Sequence, residues 1–298
     1  MTKKLEGVFA PVVSTFYRET GDLDVASFAA NVRTHLAAGL HGVVTTGSTG
    51  EAALLDFDER AALIDTAREL TPRDKWVIVG TGAESTRLCL RQTHQAAKRG
   101  ADAVLVVAPH YYGPQMTGPA LMQHYWRVAE ESPVPVILYS IPKYMHFSLA
   151  PNLVSELARH PNVIGIKDSS GNRELFASYM NAASPSFAVL TGNAQMWQNA
   201  LETGAPGGIL AATLFAPALA LEIYEAMRRG DSAAATAAQT RLTPLGAKIV
   251  GELGVAGVKA AMDRVGMCGG PVRSPLTPLG EDQIAVVESL LRSELVPA

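Results

Sequence analysis

Cysteine is scarce in this chain: Cys89 and Cys268 are the only two among 298 residues, and they lie far apart in the sequence. Neither belongs to a Cys-x-x-Cys pair or to another spacing typical of metal ligands. The sequence therefore predicts neither a disulfide framework nor a cysteine-bound metal, and we expect both thiols to be reduced.

Histidines spaced as metal ligands are also lacking. None of the seven forms a His-x-His or His-Glu-x-x-His pattern; they are residues 35, 41, 94, 110, 124, 146 and 160. A zinc-dependent enzyme needs such ligands. We therefore expect no metal and no cofactor, so that any carbonyl chemistry has to run through an amine.

Concentrated charge and long apolar runs are missing as well. The formal net charge is −3 and the basic residues are scattered, whereas nucleic-acid binding needs a concentrated basic surface. No apolar stretch reaches the roughly 20 residues of a membrane-spanning helix. Two lysines near the start are not followed by an apolar segment, which predicts no secretory signal. We expect a cytoplasmic protein without nucleic-acid or membrane partners.

The chain does have a repeated alternation of short apolar runs and amphipathic segments. The apolar runs are continuous, which is typical of parallel strands covered on both faces. One amphipathic segment, residues 24–38, carries Val25, Phe28, Val32 and Leu36 on a single stripe. The eight predicted strands are residues 7–13, 42–47, 76–82, 103–109, 134–142, 163–168, 187–192 and 207–212.

Eight strand–helix units within about 225 residues match the size of a (β/α)8 TIM barrel. A doubly wound sheet usually carries a Gly-x-Gly-x-x-Gly turn after its first strand, and this chain has none there. From residue 230 onward the pattern is helical without further strands. We therefore predict an α/β fold with a catalytic (β/α)8 barrel in residues 1–229 and a C-terminal appendix of three helices in residues 230–298.

Lys167 stands at the most informative position of this pattern. It ends the apolar run Val163-Ile164-Gly165-Ile166 and precedes the polar turn Asp168-Ser169-Ser170-Gly171. Working residues of a TIM barrel lie at the carboxyl ends of the strands, where partial burial disfavours the ammonium form of a lysine. An uncharged amine can form a Schiff base with a ketone or aldehyde. A lysine that extends from a strand end into water has the same local pattern.

Other strand ends carry groups that suit the same chemistry. After the second strand, Gly47-Ser48-Thr49-Gly50-Glu51 places two hydroxyls between glycines, so that backbone N–H groups and hydroxyls can converge on a small carboxylate. Tyr139 ends the apolar run Val136-Ile137-Leu138 of the fifth strand, where its phenol can relay a proton, and Tyr111 follows the fourth strand. Each is also compatible with an ordinary loop or a packed rim, so only their combination indicates a site.

Four motifs carry a resemblance to a known family. Gly47-Ser48-Thr49-Gly50-Glu51, Tyr139-Ser140-Ile141-Pro142, Gly165-Ile166-Lys167-Asp168-Ser169 and Gly269-Gly270-Pro271-Val272-Arg273-Ser274-Pro275-Leu276 occur in the same order as in the dihydrodipicolinate synthase / N-acetylneuraminate lyase family. The resemblance spans essentially the whole chain. It implies a lyase: a class I, Schiff-base aldolase acting on pyruvate or another 2-oxo acid.

The resemblance also implies roles for single residues. Lys167 forms the imine with the keto carbon, Ser48 and Thr49 hold the pyruvate carboxylate, and Tyr139 transfers protons. Tyr111 resembles the family tyrosine that reaches into the neighbouring subunit's site and completes a Thr/Tyr/Tyr proton relay.

Two further expectations follow from the family pattern. A main-chain carbonyl near Leu210 is expected to border the pocket. The tyrosine donated across an interface implies a homotetramer built as a dimer of dimers.

The second substrate depends on other residues. Synthases that condense pyruvate with aspartate semialdehyde carry an arginine just after the tyrosine strand, and Tyr144 stands there in this chain, beside Lys143. A phenol cannot replace the bidentate clamp of a guanidinium. Other stretches, such as His110-Tyr111-Tyr112, look closer to 4-hydroxy-2-oxoglutarate aldolase. We therefore expect cleavage of 4-hydroxy-2-oxoglutarate to pyruvate and glyoxylate, while the dihydrodipicolinate synthase reaction and other 2-oxo sugar-acid aldolases or dehydratases stay open.

Two other classes of protein compete with the aldolase. A phosphate- or flavin-binding barrel would use the glycines of Gly192-Asn193 and Gly207-Gly208, a common phosphate position in this fold. We expect those glycines to leave room for substrate and neighbouring backbone instead. A catalytically silent sensor would bind pyruvate-like acids in the same pocket, but the combination of Lys167, Tyr139 and Tyr111 favours the enzyme.

Overall fold

The computed structural model describes residues 3–295 and forms within them a closed barrel of eight parallel strands. Each strand pairs with the next along the chain, and the last strand pairs with the first. The predicted (β/α)8 TIM barrel is therefore confirmed. The strands are β1 (Gly7–Pro11), β2 (Gly42–Thr45), β3 (Trp76–Gly80), β4 (Ala103–Val107), β5 (Val136–Ser140), β6 (Val163–Asp168), β7 (Ala188–Thr191) and β8 (Gly207–Ile209).

Helices follow the strands and cover the outside of the barrel. Several begin at a short polar side chain that accepts a hydrogen bond from the first turn, namely Asp24, Asp56, Ser85, Thr117 and Asn172. The helices of the barrel are α1 (Val25–Ala37), α2 (Phe57–Leu70), α3 (Thr86–Lys98), α4 (Gly118–Glu131), α5 (Pro142–Met145), α6 (Pro151–Leu157), α7 (Arg173–Met180), α8 (Trp197–Glu202) and α9 (Pro217–Arg228).

Every strand except β6, which spans the predicted residues 163–168, ends earlier than the apolar runs predict. Thr46 adopts a left-handed conformation with φ 52°, which ends β2 before the glycine-bracketed turn. Pro142 starts the short helix α5, and residues Ala211–Leu214 form a 3-10 turn after β8. The extra apolar residues therefore belong to loops at the carboxyl rim, where a site can be built.

The C-terminal region is helical, as predicted, but within residues 230–295 a π-helical segment accompanies the three α-helices. The region begins with α10 (Ser232–Pro244) and the π-helical segment Leu245–Glu252. Pro244 has no N–H to donate, which interrupts the regular i→i−4 ladder. Helices α11 (Gly254–Arg264) and α12 (Glu281–Leu295) follow, and α10 packs against α9. The division into two domains at residue 229 stays a prediction.

No helix within residues 3–295 is both long enough and apolar enough to cross a lipid bilayer.

The stripe predicted on α1 packs inward through Phe28 and Val32, which are fully buried, whereas Val25 and Leu36 are partly exposed. His35 lies on the same face and is also fully buried. Burial lowers the pKa of its imidazole from 6.5 to about 4.

This histidine predicts a loss of stability in mild acid. Below pH 6.5 the unfolded chain protonates the ring of residue 35, whereas the folded chain resists protonation until the pH approaches 4. The free energy of unfolding should therefore be fully retained above pH 6.5 and fall between pH 6.5 and 4, by up to about 3 kcal/mol from His35. Denaturant titrations across this range should show a shallower fall for His35→Leu.

The unsubstituted protein, followed over the same pH range, is the reference for this comparison. If His35→Leu and the unsubstituted protein lose stability in parallel as the pH drops, the buried ring is not the cause.

Candidate active site

Lys167 and Tyr139 meet inside the barrel because their strands are paired in register. In the ladder between β5 and β6, Tyr139 stands directly opposite Lys167. The Lys167 Nζ donates a hydrogen bond to the Tyr139 hydroxyl at 3.4 Å and lies 4.4 Å from the centre of its ring. The structure therefore brings together the amine and the phenol that the sequence singles out.

The amine of Lys167 is held away from bulk water. The residue is 5% exposed, and Tyr139 is 4% exposed. Within the described part of the chain, Lys167 Nζ forms no ion pair with a carboxylate. A lysine that reaches into solvent, the other possibility at this strand end, is excluded.

Ser48 and Thr49 line the same cavity, which has a volume of about 250 Å³. Their turn follows β2 directly, so that the barrel places it across from the lysine strand. The wall contains mostly small, polar and aliphatic side chains: Ser48, Thr49, Tyr139, Ile141, Lys143, Tyr144, Lys167, Ser169, Ser170, Gly192, Asn193, Ala194, Gln195, Ile209, Ala211, Gly246, Val250, Gly251, Gly254, Val255 and Val258. A cavity of this size suits a small polar ligand.

Two predicted residues are not brought into this cavity. Tyr111 is 77% exposed and makes an edge-to-face contact with Tyr112 on the loop after β4. Leu210 is fully buried, and its carbonyl accepts hydrogen bonds from Thr213. The neighbours of Leu210, Ile209 and Ala211, line the wall instead.

The glycines after β7 and at β8 make room, as the sequence predicts. A Cβ on Gly192 would lie 2.0 Å from Ser169 Oγ and 2.6 Å from Lys167 Cε. A Cβ on Gly207 would lie 2.1 Å from the carbonyl oxygen of Gly7 on the neighbouring strand. Close packing accounts for these glycines, and a phosphate site is not needed to explain them.

The C-terminal helices supply a wall of the cavity that sequence reasoning missed. Val250 and Gly251 come from the π-helical segment, and Val255 and Val258 come from the first turns of α11. Lys143 reaches this wall from α5, because its Nζ donates a 2.7 Å hydrogen bond to the Gly251 carbonyl. No periodic pattern marks such a contact, since it joins segments about a hundred residues apart.

Two ionisable groups at the rim are perturbed by burial. Partial desolvation raises the pKa of the Tyr144 phenol, which lines the cavity beside Lys143 although the residue is 40% exposed. Burial also raises the pKa of Asp168 to about 6, although hydrogen bonds from Ser170 oppose the shift. Within residues 3–295, no three histidine, cysteine or acidic side chains cluster in a way that could hold a metal ion.

Known proteins resemble the chain in both sequence and structure. The profile of the dihydrodipicolinate synthetase family matches residues 4–294. A 4-hydroxy-tetrahydrodipicolinate synthase of Methanoculleus marisnigri is 34% identical over 288 residues, 96% of this chain and 98% of the relative. A prophage protein of the dihydrodipicolinic acid synthase family from E. coli K12, solved in complex with pyruvate, matches with a TM-score of 0.91 and 30% identity over 98% of this chain and 99% of the other. A dihydrodipicolinate synthase of Bacillus anthracis matches with a TM-score of 0.93 and 27% identity over 99% of both chains.

The close approach of Gly192 to Lys167 predicts that Gly192→Ala damages the site. The added methyl group has to displace Lys167 Cε or Ser169. A misplacement of about 1 Å lowers turnover roughly 10²-fold, and we expect a loss of that size in the rate of imine trapping with pyruvate and borohydride. Gly118→Ala is the matched control, because nothing lies within 4 Å of its Cβ position. Unchanged trapping in Gly192→Ala would contradict the packing argument.

Proposed function

Because the chain belongs to the dihydrodipicolinate synthetase family of class I, pyruvate-dependent lyases and synthases, we propose that Lys167 forms the Schiff base with pyruvate. One observation carries the proposal. The Lys167 amine is buried in the barrel, 3.4 Å from the hydroxyl of Tyr139. A buried primary amine beside a phenol that can transfer protons is what imine chemistry needs.

The chemistry follows from the amine. An uncharged Lys167 adds to the keto carbon of pyruvate, and uptake of one proton together with loss of one water gives a protonated imine. The imine withdraws electrons from the methyl carbon, so that loss of a proton there gives an enamine. The enamine carbon then bonds to the carbonyl carbon of an aldehyde, and hydrolysis releases the product and restores the amine. The same steps in reverse cleave the bond.

The residues around Lys167 take the roles that the family resemblance implies. Ser48 and Thr49 bind the pyruvate carboxylate through their hydroxyls and backbone N–H groups. Tyr139 carries protons to and from the reacting oxygen, which its contact with the amine supports. Because the bound carboxylate already holds the ketone in place, less entropy is lost when the ketone reacts.

We also propose that Tyr111 acts in the site of a neighbouring subunit, within a homotetramer arranged as a dimer of dimers. Its 77% exposure and its contact with Tyr112 support this proposal, because exposed aromatic pairs are typical of interfaces. The contribution of a main-chain carbonyl near Leu210, and the cytoplasmic location, stay predictions.

The relatives alter the choice of second substrate. Sequence reasoning favours 4-hydroxy-2-oxoglutarate, but relatives 30–34% identical over nearly their whole length are 4-hydroxy-tetrahydrodipicolinate synthases. We therefore propose condensation of pyruvate with aspartate semialdehyde as the leading function. Lys143, at the rim of the cavity, supplies the positive charge for the second carboxylate.

Cleavage of 4-hydroxy-2-oxoglutarate is the second candidate, and the composition of the cavity favours it. No arginine lines the cavity among the described residues, and Tyr144 occupies the position expected for one. A lysine binds a carboxylate as a point charge and lacks the bidentate geometry of a guanidinium.

The Schiff base predicts a covalent product on a single residue. Borohydride reduction in the presence of pyruvate should add one reduced pyruvate to the peptide that contains Lys167, as detected by mass spectrometry. Lys167→Met should lose the label and at least roughly 10³-fold in kcat. Lys143→Gln, which alters another lysine of the same cavity, should still be labelled. A label on any other lysine would refute the assignment.

The proposed second substrate predicts which of two reactions has the higher catalytic efficiency. Condensation with aspartate semialdehyde should have a higher kcat/KM than pyruvate release from 4-hydroxy-2-oxoglutarate. Lys143→Gln should lower kcat/KM for the semialdehyde about tenfold, because a charge-assisted hydrogen bond is lost. Robust cleavage of 4-hydroxy-2-oxoglutarate without condensation would reverse the order of the two candidates.

A further inference from the structure

Behind the Ser48–Thr49 turn lies a buried ion pair that the proposed chemistry does not use. The side chains of Glu51 and Lys259 are 0% and 1% exposed, and Lys259 Nζ lies 2.5 Å from Glu51 Oε1. We infer that Glu51 is a positioning residue for the pyruvate carboxylate, with Lys259 as its counter-charge. The inference rests on the proposed function and adds a buried support to the anion-binding turn.

The backbone of the turn is held in a conformation that needs support. Thr46 and Glu51, at its two ends, have φ values of 52° and 54°, in the left-handed region that non-glycine residues rarely adopt. Such residues persist only where surrounding contacts fix them. Thr46 Oγ1 donates to the Gly80 carbonyl at 2.8 Å, which fixes the first end. Glu51 is the corresponding anchor of the second end.

The carboxylate of Glu51 connects the turn to the C-terminal region. Its Oε2 accepts the backbone N–H of Arg273 at 2.8 Å, and Lys259 Nζ also donates to the Pro271 carbonyl at 2.7 Å. The Arg273 guanidinium binds both carboxylate oxygens of Glu59 and the Leu54 carbonyl, just after the turn. Residues of α11 and of the segment that follows it therefore fix the turn from behind.

The electrostatics of the pair point to the substrate and not only to stability. A buried ion pair is a weak source of stability, because desolvation of both charges offsets their attraction. Burial lowers the pKa of Lys259, and the adjacent carboxylate of Glu51 opposes that shift. Glu51 lies two residues beyond Thr49, where an uncompensated negative charge would repel a bound carboxylate. Lys259 removes that repulsion.

The test compares pyruvate with hydroxyacetone, a ketone without a carboxylate, as the ketone trapped on Lys167 by borohydride. Glu51→Gln should raise the half-saturating concentration of pyruvate roughly tenfold, because it weakens the charge-assisted hydrogen bond from the Arg273 N–H that anchors the turn. The maximal trapping rate and the half-saturating concentration of hydroxyacetone should stay within about twofold. Loss of fold would impair both ketones alike.

If Lys259 compensates the charge of Glu51, the effects of further variants on pyruvate trapping should follow a definite order. Lys259→Met should weaken pyruvate trapping more than Glu51→Gln does, because it leaves a negative charge behind the turn. The double variant Glu51→Gln/Lys259→Met should recover part of that loss. Arg273→Ala keeps the backbone N–H that Glu51 accepts but removes the guanidinium contacts with Glu59 and Leu54, so it should show a smaller, pyruvate-specific loss.

Asp102→Asn is the matched control. It disrupts another poorly exposed ion pair, with Arg68, just before β4 and therefore at the opposite end of the barrel. It should lower the melting temperature while leaving the ratio between the two ketones unchanged. An unchanged ratio in Glu51→Gln and Arg273→Ala, or an equal loss with both ketones, would overturn the inference alone. Failure of the unsubstituted protein to trap pyruvate on Lys167 would overturn the proposed function and, with it, this inference.

Discussion

The register between β5 and β6 is the constraint on which the site depends. Parallel pairing places Tyr139 opposite Lys167, and alternation along the strand points both side chains to the same face. Closure of the barrel converts that face into an enclosed space with little access to water. A shift of one residue in this pairing would turn the lysine outward and leave the phenol without its partner. The strand register therefore precedes any chemistry at Lys167.

Glycines provide the space for close contacts in and around the site. Gly192 leaves the volume that Lys167 Cε occupies, and Gly80 allows the carbonyl of Thr46 to approach β3 closely. The turn that carries Ser48 and Thr49 requires two residues in the strained left-handed conformation, and only tertiary contacts can hold them there. The rigidity of the site thus comes from packing against it and not from its own sequence.

Two parts of the chain, the strand ends of the barrel and the C-terminal helices, line the cavity. Strand ends of the barrel supply the amine, the phenol and the hydroxyls, which suit a ketone acid. The π-helical segment and α11 supply Val250, Gly251 and Val255 at the opposite wall. Within one family, a change in that wall or in α5 can alter the accepted aldehyde without disturbing the imine chemistry. The residues at the strand ends therefore indicate the family, whereas the choice of second substrate depends on a few residues at the rim of the cavity.

The sequence by itself determined the order of strands and helices, the barrel and the position of Lys167, because each depends on local periodicity and on which residue follows an apolar run. It also indicated the turn at Ser48–Thr49 and the phenol of Tyr139. Only the tertiary structure decided that Leu210 does not line the cavity, that Tyr111 is exposed, and that C-terminal residues form one wall. The contact between Glu51 and Arg273 joins positions 222 residues apart. No local pattern encodes such a contact, since it exists only when the closed barrel and the returning chain bring both ends together.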